Sequence, residues 1–293
     1  MKIGITADCS SGLEYAPFEH DVKITRTTIH FGQEELLDGV DITADGFYKK
    51  LTASDIVPST SAPTPGEITK RVEEWKQEGC TDVIHFPISF GLSDYGKNLQ
   101  ATGNELVEGV KVHVFNSNTA CLMEGYQAYY ASILAKKGYS VEEIFEEVAK
   151  LRDRIDTYLV VDDLKYLVKN GRLSGVSGFI GSLARIKPVL NLGKDGKIVT
   201  FEKVRIHSKA IARCIDLTLE SAKEYEKVLY IVLHSDRLED AKSIANELKS
   251  RATNCYHIDV TTITPTVGAH IGAGVIGIAC LPLDGLKEEL VQK

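Results

Sequence analysis

The fold is indicated first by residues 64–88, which read TPGEITKRVEEWKQEGCTDVIHFPI. Thr64 can cap a helix that begins at Pro65, and Glu67 stands three residues after the cap, as in a capping box. Apolar residues then recur on one helical face, at Ile68, Val72 and Trp75. The apolar run at residues 83–88 has the length of a buried strand. This stretch therefore predicts a helix followed by a strand, the repeating unit of a layered α/β domain.

The same alternation continues on both sides of this stretch. Strand-like runs of the first half lie at residues 2–7, 22–31, 83–88 and 110–115. Gly138 is expected to end one helix near Lys137, and Ser140 with Glu143 forms a second capping box for a helix that runs to about Arg152. We therefore predict an N-terminal layered α/β domain with a parallel sheet over residues 1–155.

The pattern changes after Arg154, and a second domain is predicted over residues 156–293. Strands are predicted at 158–161, 188–192, 198–204, 228–233 and 256–260, and helices at 164–168 and 238–251. Asp195-Gly196, between the second and third of these strands, is typical of a hairpin turn. This half is expected to be an α+β domain of two layers that packs closely on the N-terminal domain. Its last strand and helix could return to the N-terminal domain.

Composition excludes several classes of protein. The 293 residues carry 34 Lys and Arg against 41 Asp and Glu, so no basic face is expected for nucleic acid. The six cysteines are scattered without a C-x-x-C pair and are expected to be reduced thiols, most of them buried. The first residues show no signal-peptide pattern, and a cytoplasmic location is therefore expected.

Residues 260–283 contain no Asp, Glu, Lys or Arg, and these 24 positions would be long enough to cross a bilayer. Pro265, Pro282, His270 and four glycines interrupt the segment, whereas a lipid-facing span needs an unbroken helix. We therefore expect no stable membrane insertion and instead a buried segment that ends in a strand at residues 275–281.

Gly272, Gly274 and Gly277 within this segment fit the dinucleotide pattern G-x-G-x-x-G. Only 16 residues follow Gly277, too few for the helix and the acidic residue on a second strand that the pattern requires. A turn in which glycine lets the backbone approach a ligand or another strand is the better interpretation.

Other catalytic and metal motifs are missing from the sequence. It has no phosphate-binding G-x-x-x-x-G-K-[ST] loop and no G-x-S-x-G elbow. Cys255-x-His257 is the closest His/Cys pairing, and two such residues are too few for a four-ligand zinc site. No metal and no cofactor are therefore expected.

Two hydroxyl-rich loops are better candidates for a binding site. Residues 59–65, STSAPTP, end at a predicted helix N-terminus, where backbone N–H groups favour an anion. Residues 89–93, SFGLS, follow a predicted strand at the sheet edge where open α/β sheets bind ligands. Each loop could equally be a simple helix cap or turn.

These loops belong to a longer series of motifs that resembles the DegV family. The series consists of Asp8 and Ser10, Thr60-Ser61 with Pro63, Leu92-Ser93, Asp162-Asp163-Leu164 with Leu167, Gly171-Arg172, Lys187-Pro188, Glu202-Lys203-Val204-Arg205, and His270-x-Gly272-x-Gly274. The resemblance runs through essentially the whole chain and implies a two-domain DegV-like fold. Members of the family bind fatty acids, and several, called FakB, are the carrier subunit of bacterial fatty acid kinase.

The resemblance also implies roles for particular residues. In the family, the matching Thr, Ser and His surround the fatty-acid carboxyl group, which implies that role for Thr60, Ser93 and His270. Ser61 is a plausible neighbour of the carboxyl, although it could serve the turn instead. Two hydroxyls and an imidazole can hold a carboxylate and yet release it more readily than a bidentate arginine would.

Arg172 and Arg205 match family positions linked to the kinase or to its phosphate chemistry. Each could instead form a surface ion pair. The acyl chain would require a long apolar cavity. Candidates for its lining lie at residues 29–31, 120–130 and 179–186, any of which could equally be plain core.

Four residues depart from the family's usual ones, namely Arg26, Ala62, Asp94 and Asn116. Asp94 would repel a carboxylate at Ser93 unless it points away or is protonated. Three hypotheses therefore stay open. The protein is a non-catalytic carrier that presents a long-chain fatty acid to an ATP-dependent kinase, a DegV-like protein with another small lipid or carboxylate ligand, or a hydrolase that uses Ser93 with His270 as base.

Overall fold

A computed structural model describes residues 2–173 and 186–291, in which strands and helices alternate much as predicted. The first part contains β1 (Ile3–Asp8), β2 (Lys23–Thr25), β3 (Thr28–Phe31), β4 (Glu34–Leu37), α1 (Ala44–Thr52), β5 (Ser59–Ser61), α2 (Pro65–Gln77), β6 (Asp82–Phe86), α3 (Tyr95–Thr102), β7 (Lys111–Val114), α4 (Leu122–Lys136) and α5 (Val141–Arg152). The second part contains β8 (Asp156–Val160), α6 (Lys165–Lys169), β9 (Val189–Leu192), β10 (Ile198–Glu202), α7 (His207–Ala222), β11 (Val228–His234), α8 (Leu238–Arg251), β12 (Cys255–Thr262), α9 (Pro265–Ile271) and β13 (Ile276–Pro282).

The first sheet has the strand order β2-β1-β6-β7, and all of its strands are parallel. The predicted apolar face of α2 packs on it, and the Trp75 indole N–H donates to the Ile5 carbonyl at 3.1 Å. Gly4 makes room for this ring, because a Cβ at residue 4 would lie 2.4 Å from the ring atom Cγ of Trp75. The predicted parallel sheet is confirmed.

Both predicted helix starts are observed, but only one completes a capping box. The Ser140 hydroxyl accepts from the Glu143 N–H, and the Glu143 carboxylate accepts from the Ser140 N–H at 2.8 Å. At α2 the Thr64 hydroxyl accepts from the Glu67 N–H. The Glu67 carboxylate instead accepts from the N–H of Arg26, at 3.3 Å, because an adjacent segment of the same chain offers it another donor.

The single strand expected at residues 22–31 is two strands that belong to different sheets. β2 pairs with β1, whereas β3 pairs antiparallel with β4 and β5 in a separate three-stranded sheet. Between them, Arg26 forms an ion pair with Glu14 and donates to the Asp38 carbonyl at 3.1 Å. Strand propensity continues without a break from β2 to β3, so the sequence pattern does not reveal that the two strands pair in different sheets.

The second large sheet has the order β10-β9-β8-β13-β11-β12. β9 and β10 form the predicted hairpin, with Gly196 at φ 71° in its turn. β13, the end of the uncharged segment, is fully buried between β8 and β11 and antiparallel to both. α7 and α8 cover one face of this sheet, which makes the predicted two layers.

The other face of the six-stranded sheet shares its core with the parallel sheet. α4 packs on β1 and β6, and its residues are buried almost all round, as expected for a helix enclosed by other layers. The main apolar cluster extends from these strands through α4 to β8, β11 and β13. The predicted α/β fold class is confirmed, whereas the boundary between 1–155 and 156–293 stays a proposal.

α9 lies between the two halves, against α1, α6 and the strands β3 and β5. None of the helices within residues 2–173 and 186–291 combines the length and the apolar character that a membrane span requires.

Candidate ligand-binding site

Four of the residues singled out from the sequence meet at one cavity of about 220 Å³. Thr60 comes from β5, Ser93 from the loop after β6, Arg172 from the segment after α6, and His270 from α9. These positions are far apart in the chain. The packing of α9 on the three-stranded sheet and on α6 brings them together, as does the hydrogen bond from Arg172 to the Leu92 carbonyl.

The hydroxyl of Thr60 and the ring of His270 are in direct contact. A hydrogen bond of 2.8 Å joins Thr60 Oγ1 to His270 Nε2. Ser61 is the next residue of β5, and its exposed hydroxyl bonds His30 Nε2 at 2.7 Å instead. Because side chains alternate along a strand, Thr60 faces the cavity while Ser61 does not line it.

His270 is neutral near pH 7 in this setting. Burial lowers its pKa to about 4, and the nearby positive charge of Arg172 acts in the same direction. Its buried Nδ1 atom has no hydrogen-bond partner among the residues that the structure describes. One nitrogen of the neutral imidazole thus bonds Thr60 and the other is without a partner among the described residues, while Arg172 supplies positive charge at this cavity.

Arg172 is held in place by backbone oxygens. Its Nε donates to the Leu92 carbonyl at 3.3 Å, and its Nη1 donates to the Asn170 carbonyl. A guanidinium has five N–H donors, so others can face a ligand. Arg205, the other predicted partner-contact residue, is exposed and does not line the cavity.

The departures from the family pattern leave the cavity open to an anion. Asp94 is exposed and pairs with Lys97 at 2.8 Å, a hydrogen bond that lowers its pKa. It does not line the cavity, whereas Ser93 does. Asn116 accepts from the N–H of Phe90 and so shapes the Ser89–Ser93 loop. The Asp94 carboxylate, which could have repelled a carboxylate ligand, therefore points away from the cavity.

Buried contacts fix the position of α9 and hence of His270. The Thr266 N–H and hydroxyl both donate to Asp38 Oδ2, at 2.8 and 2.5 Å. Asn170 donates to the carbonyl of Ala269 at 3.2 Å. Gly268 allows close approach, since a Cβ there would lie 2.6 Å from the Tyr48 hydroxyl oxygen.

The glycine pattern after His270 serves backbone packing. Gly272 and Gly274 have φ values of 84° and 79°, which favour glycine. A Cβ at Gly272 would lie 2.5 Å from the ring of Tyr166, and one at Gly274 would lie 2.1 Å from Asp162 Oδ2. The turn approaches these side chains too closely for any other residue.

Sequence reasoning missed or left without a role several polar residues of this cavity. They are Asp8, Ser10, Thr27, Tyr95 and Thr266. Asp8 ends β1 and Ser10 follows it, and the carboxyl end of β1 lies at the same sheet edge as that of β6, so this shared edge was a usable signal. The Ser10 hydroxyl donates to Glu124, whose pKa is raised well above its usual value by burial and by Asp8.

An apolar chamber of about 60 Å³ adjoins the polar cavity. Its lining residues are Leu92, Ala120, Cys121, Met123, Thr157, Leu159, Leu192, Ile198, Leu233, Ile263, Val267, Ile271, Val275 and Gly277. Four of them also line the polar cavity, namely Leu92, Ile198, Val267 and Ile271. Burial raises the pKa of the Cys121 thiol, so it stays protonated in the wall.

Of the three segments predicted to line the acyl-chain cavity, one lines the chamber and one packs in the core. Residues 120–130 contribute Ala120, Cys121 and Met123 to the chamber. Ile29 and Phe31 instead pack in the core beside α1 and α9. The segment 179–186 falls, except for its last residue, outside the described part of the chain.

Neither metal binding nor hydrolysis is favoured by this geometry. Across residues 2–173 and 186–291, no group of three or more His, Cys, Asp or Glu side chains could hold a metal ion. The hydrogen bond of His270 is to Thr60, and the Ser93 hydroxyl accepts from the Tyr95 N–H at 3.2 Å. The serine and histidine that a hydrolase would pair thus have other partners.

Comparison with known proteins gives the family. A family model described as an uncharacterised protein of the DegV family matches residues 2–283. The chain belongs to the DegV family. A DegV domain-containing protein of Staphylococcus aureus (strain COL) is 33% identical over 281 residues, which cover 95% of this chain and 96% of the relative.

Solved structures agree with the DegV assignment. A fatty acid binding DegV family protein from Streptococcus agalactiae has a TM-score of 0.86 at 27% identity, covering 97% of this chain and 100% of that one. DegV from Bacillus subtilis, a fatty acid binding protein, has a TM-score of 0.85 at 30% identity, covering 96% and 99%. The predicted DegV-like fold is therefore confirmed.

Proposed function

We propose that this DegV protein is a carrier that encloses one long-chain fatty acid and presents its carboxyl group to an ATP-dependent fatty acid kinase. The kinase would then form the acyl phosphate, and the carrier itself would not be catalytic. We place this activity in the cytoplasm, where the kinase has access to ATP. The fatty acid binding described for the Bacillus subtilis DegV protein, 30% identical, supports the proposal.

The observation that carries the proposal is the junction of a polar cavity with an apolar chamber. Thr60, Ser93, His270 and Arg172 can bind a carboxylate at the mouth. The adjoining chamber is lined almost entirely by apolar side chains. Burial of each methylene contributes about 0.8 kcal/mol, so the tail would supply most of the affinity. A fatty acid combines one anionic end with such a tail.

The decisive experiment is extraction of freshly purified protein under denaturing conditions, followed by lipid mass spectrometry. We expect close to one fatty acid per protein chain. Native mass spectrometry of the same sample should show the corresponding added mass. An extract without any acyl chain, from protein that also fails to take up added fatty acid, would falsify the carrier proposal.

The head-group assignment can be tested with a matched pair of neighbouring residues. Thr60→Val should weaken fatty-acid binding about threefold to tenfold, because it removes a hydroxyl that faces the carboxyl group. Ser61→Ala removes the adjacent hydroxyl, which points to His30, and should leave affinity unchanged. Equal losses in both variants, measured by competition with a fluorescent fatty acid, would contradict the assignment.

The kinase role requires a separate measurement. Phosphoryl transfer needs a nucleotide site, which the partner would supply. With a cognate kinase and ATP, Ser93→Ala and His270→Ala should form less acyl phosphate, trapped with hydroxylamine. Arg205→Ala should lower turnover while fatty-acid affinity is retained, because Arg205 is exposed outside the cavity. Arg251→Ala, a change at another exposed arginine, is the control.

A different carboxylate ligand is the second candidate, since Ala62 lines the mouth where the family commonly has glutamine. Native mass spectrometry separates the two candidates by the mass of the bound molecule. The hydrolase hypothesis predicts a burst of product from an activated ester. The hydrogen bond between His270 and Thr60 gives no support to that hypothesis.

A further inference from the structure

A third cavity, of about 160 Å³, shares a wall with the apolar chamber. Thr157 and Leu192 line both spaces. Neither of them lines the polar cavity that holds His270. The chamber therefore meets the polar cavity along one wall and this third cavity along another.

Two buried hydroxyls distinguish the third cavity. Thr157 and Thr119 are only 5% and 3% exposed, and both line the third cavity. Neither Oγ1 atom has a hydrogen-bond partner within residues 2–173 and 186–291. Thr157 also lines the chamber. It lies two residues before Leu159 in β8, so the two side chains stand on the same face of the strand.

A buried hydroxyl without a partner is unfavourable, and one in the wall of an apolar chamber, with a second in the adjoining cavity, calls for an explanation. Each threonine hydroxyl can donate one hydrogen bond and accept two. A hydroxyl or keto oxygen on a ligand tail in the chamber would satisfy Thr157. A tail without oxygen would offer Thr157 no partner.

The charges around this cavity favour a neutral oxygen over a second carboxylate. Arg152 donates to Asp153 Oδ1 and to the Asn116 carbonyl. Lys194 donates to the carbonyls of Asp153 and Ile155 and pairs with Asp156. Both cations are thus already engaged with acids and carbonyls.

We propose that Thr157, together with Thr119, selects fatty acids that carry a hydroxyl or keto oxygen in the distal part of the chain. This inference rests on the proposed fatty-acid-binding function and specifies its ligand class. The carboxyl end binds at Thr60 and His270, the acyl chain runs into the chamber, and the distal oxygen hydrogen-bonds Thr157 at the second wall, with Thr119 beyond it in the third cavity.

The test compares octadecanoic acid with isomers that carry one hydroxyl at successive positions in the distal half of the chain. Binding is measured by competition with a fluorescent fatty acid. At least one distal isomer should bind wild-type protein about threefold to tenfold more tightly than octadecanoic acid. Thr157→Val, which keeps a β-branched side chain, should remove this preference. Thr200→Val, a change in β10 away from the three cavities, should keep it.

Each outcome decides the inference. Should Thr157→Val fail to fold, Thr119→Val provides the same comparison. Equal affinity of the wild type for octadecanoic acid and every hydroxylated isomer would overturn the distal site alone and leave the carrier function intact. A preference that persists in Thr157→Val, or in Thr119→Val where Thr157→Val does not fold, would do the same. Failure of every acid to bind would overturn the carrier function and this inference with it.

Discussion

At the scale of single residues, the polar cavity is lined by a histidine that carries no charge. Burial lowers the pKa of His270 to about 4, so its ring bonds Thr60 as a neutral group. Arg172 supplies positive charge nearby but is tied to two carbonyls. A carboxylate in such a site would be held mainly through hydrogen bonds, which suits the proposed transfer of the ligand to a partner.

The lowered pKa of His270 predicts a pH dependence of stability. Since its pKa falls from 6.5 to about 4 on folding, the unfolded chain binds a proton in this range that the folded chain does not. Stability relative to His270→Gln should therefore decrease as pH falls from 6.5 to 4, by on the order of 2 to 3 kcal/mol.

Urea unfolding of both proteins at several pH values checks this prediction. The comparison removes the opposing effect of Asp38, whose pKa is raised to about 6 by burial and which is present in both proteins. A difference in unfolding free energy that stays constant between pH 6.5 and 4 would contradict a neutral, buried His270.

At the scale of elements, local sequence signals determine where helices begin but not every contact that they make. The capping box of α5 is complete, whereas the acid of the α2 cap binds the N–H of Arg26. Similarly, alternation along β5 sends Thr60 into the cavity and Ser61 to His30. Neighbouring residues of one motif therefore have separate roles.

The complete capping box predicts a measurable contribution from Ser140. Ser140→Ala removes the acceptor for the Glu143 N–H and should lower the free energy of unfolding by about 1 kcal/mol. Ser250→Ala removes a hydroxyl in the last turn of α8 and should change stability by less than about 0.5 kcal/mol. Chemical denaturation of the two variants provides the comparison, and equal effects would argue against the cap.

At the scale of the whole molecule, the chamber exists because two sheets share one core around α4. Its wall includes the inner face of the six-stranded sheet, where Leu159, Gly277 and Leu233 stand side by side on β8, β13 and β11. Gly277 is the smallest of these and leaves space for a tail. A Cβ there would lie 3.4 Å from Leu233 Cβ, an ordinary contact that the sheet can accept.

Gly277 should therefore control the length of acyl chain that the protein accepts. Gly277→Ala places a methyl group in the chamber and should weaken binding of a long-chain fatty acid on the order of tenfold, with a smaller effect on a short one. Gly46→Ala in α1, where a Cβ also meets only ordinary contacts, is the control. Competition binding across a series of chain lengths tests this, and a uniform loss at every length would contradict it.

Much of the architecture could be predicted from local patterns. The cap at Thr64, the apolar face of α2, the hairpin at Gly196 and the buried strand after the glycine turn all follow from short-range rules. The division of residues 22–31 between two sheets did not, because strand propensity does not specify which strands will pair. The three-stranded sheet that positions Thr60 was missed for the same reason.

The sequence by itself determined the α/β class, the helix starts and the family motifs, and through those motifs it proposed Thr60, Ser93 and His270 as head-group residues. Tertiary structure alone decided that Asp94 turns to Lys97, that Ser61 faces away, and that Thr157 stands in an apolar chamber. The reason is physical. Caps and periodicity act over a few residues along the chain, whereas a cavity is formed by side chains that become neighbours only when separate elements pack.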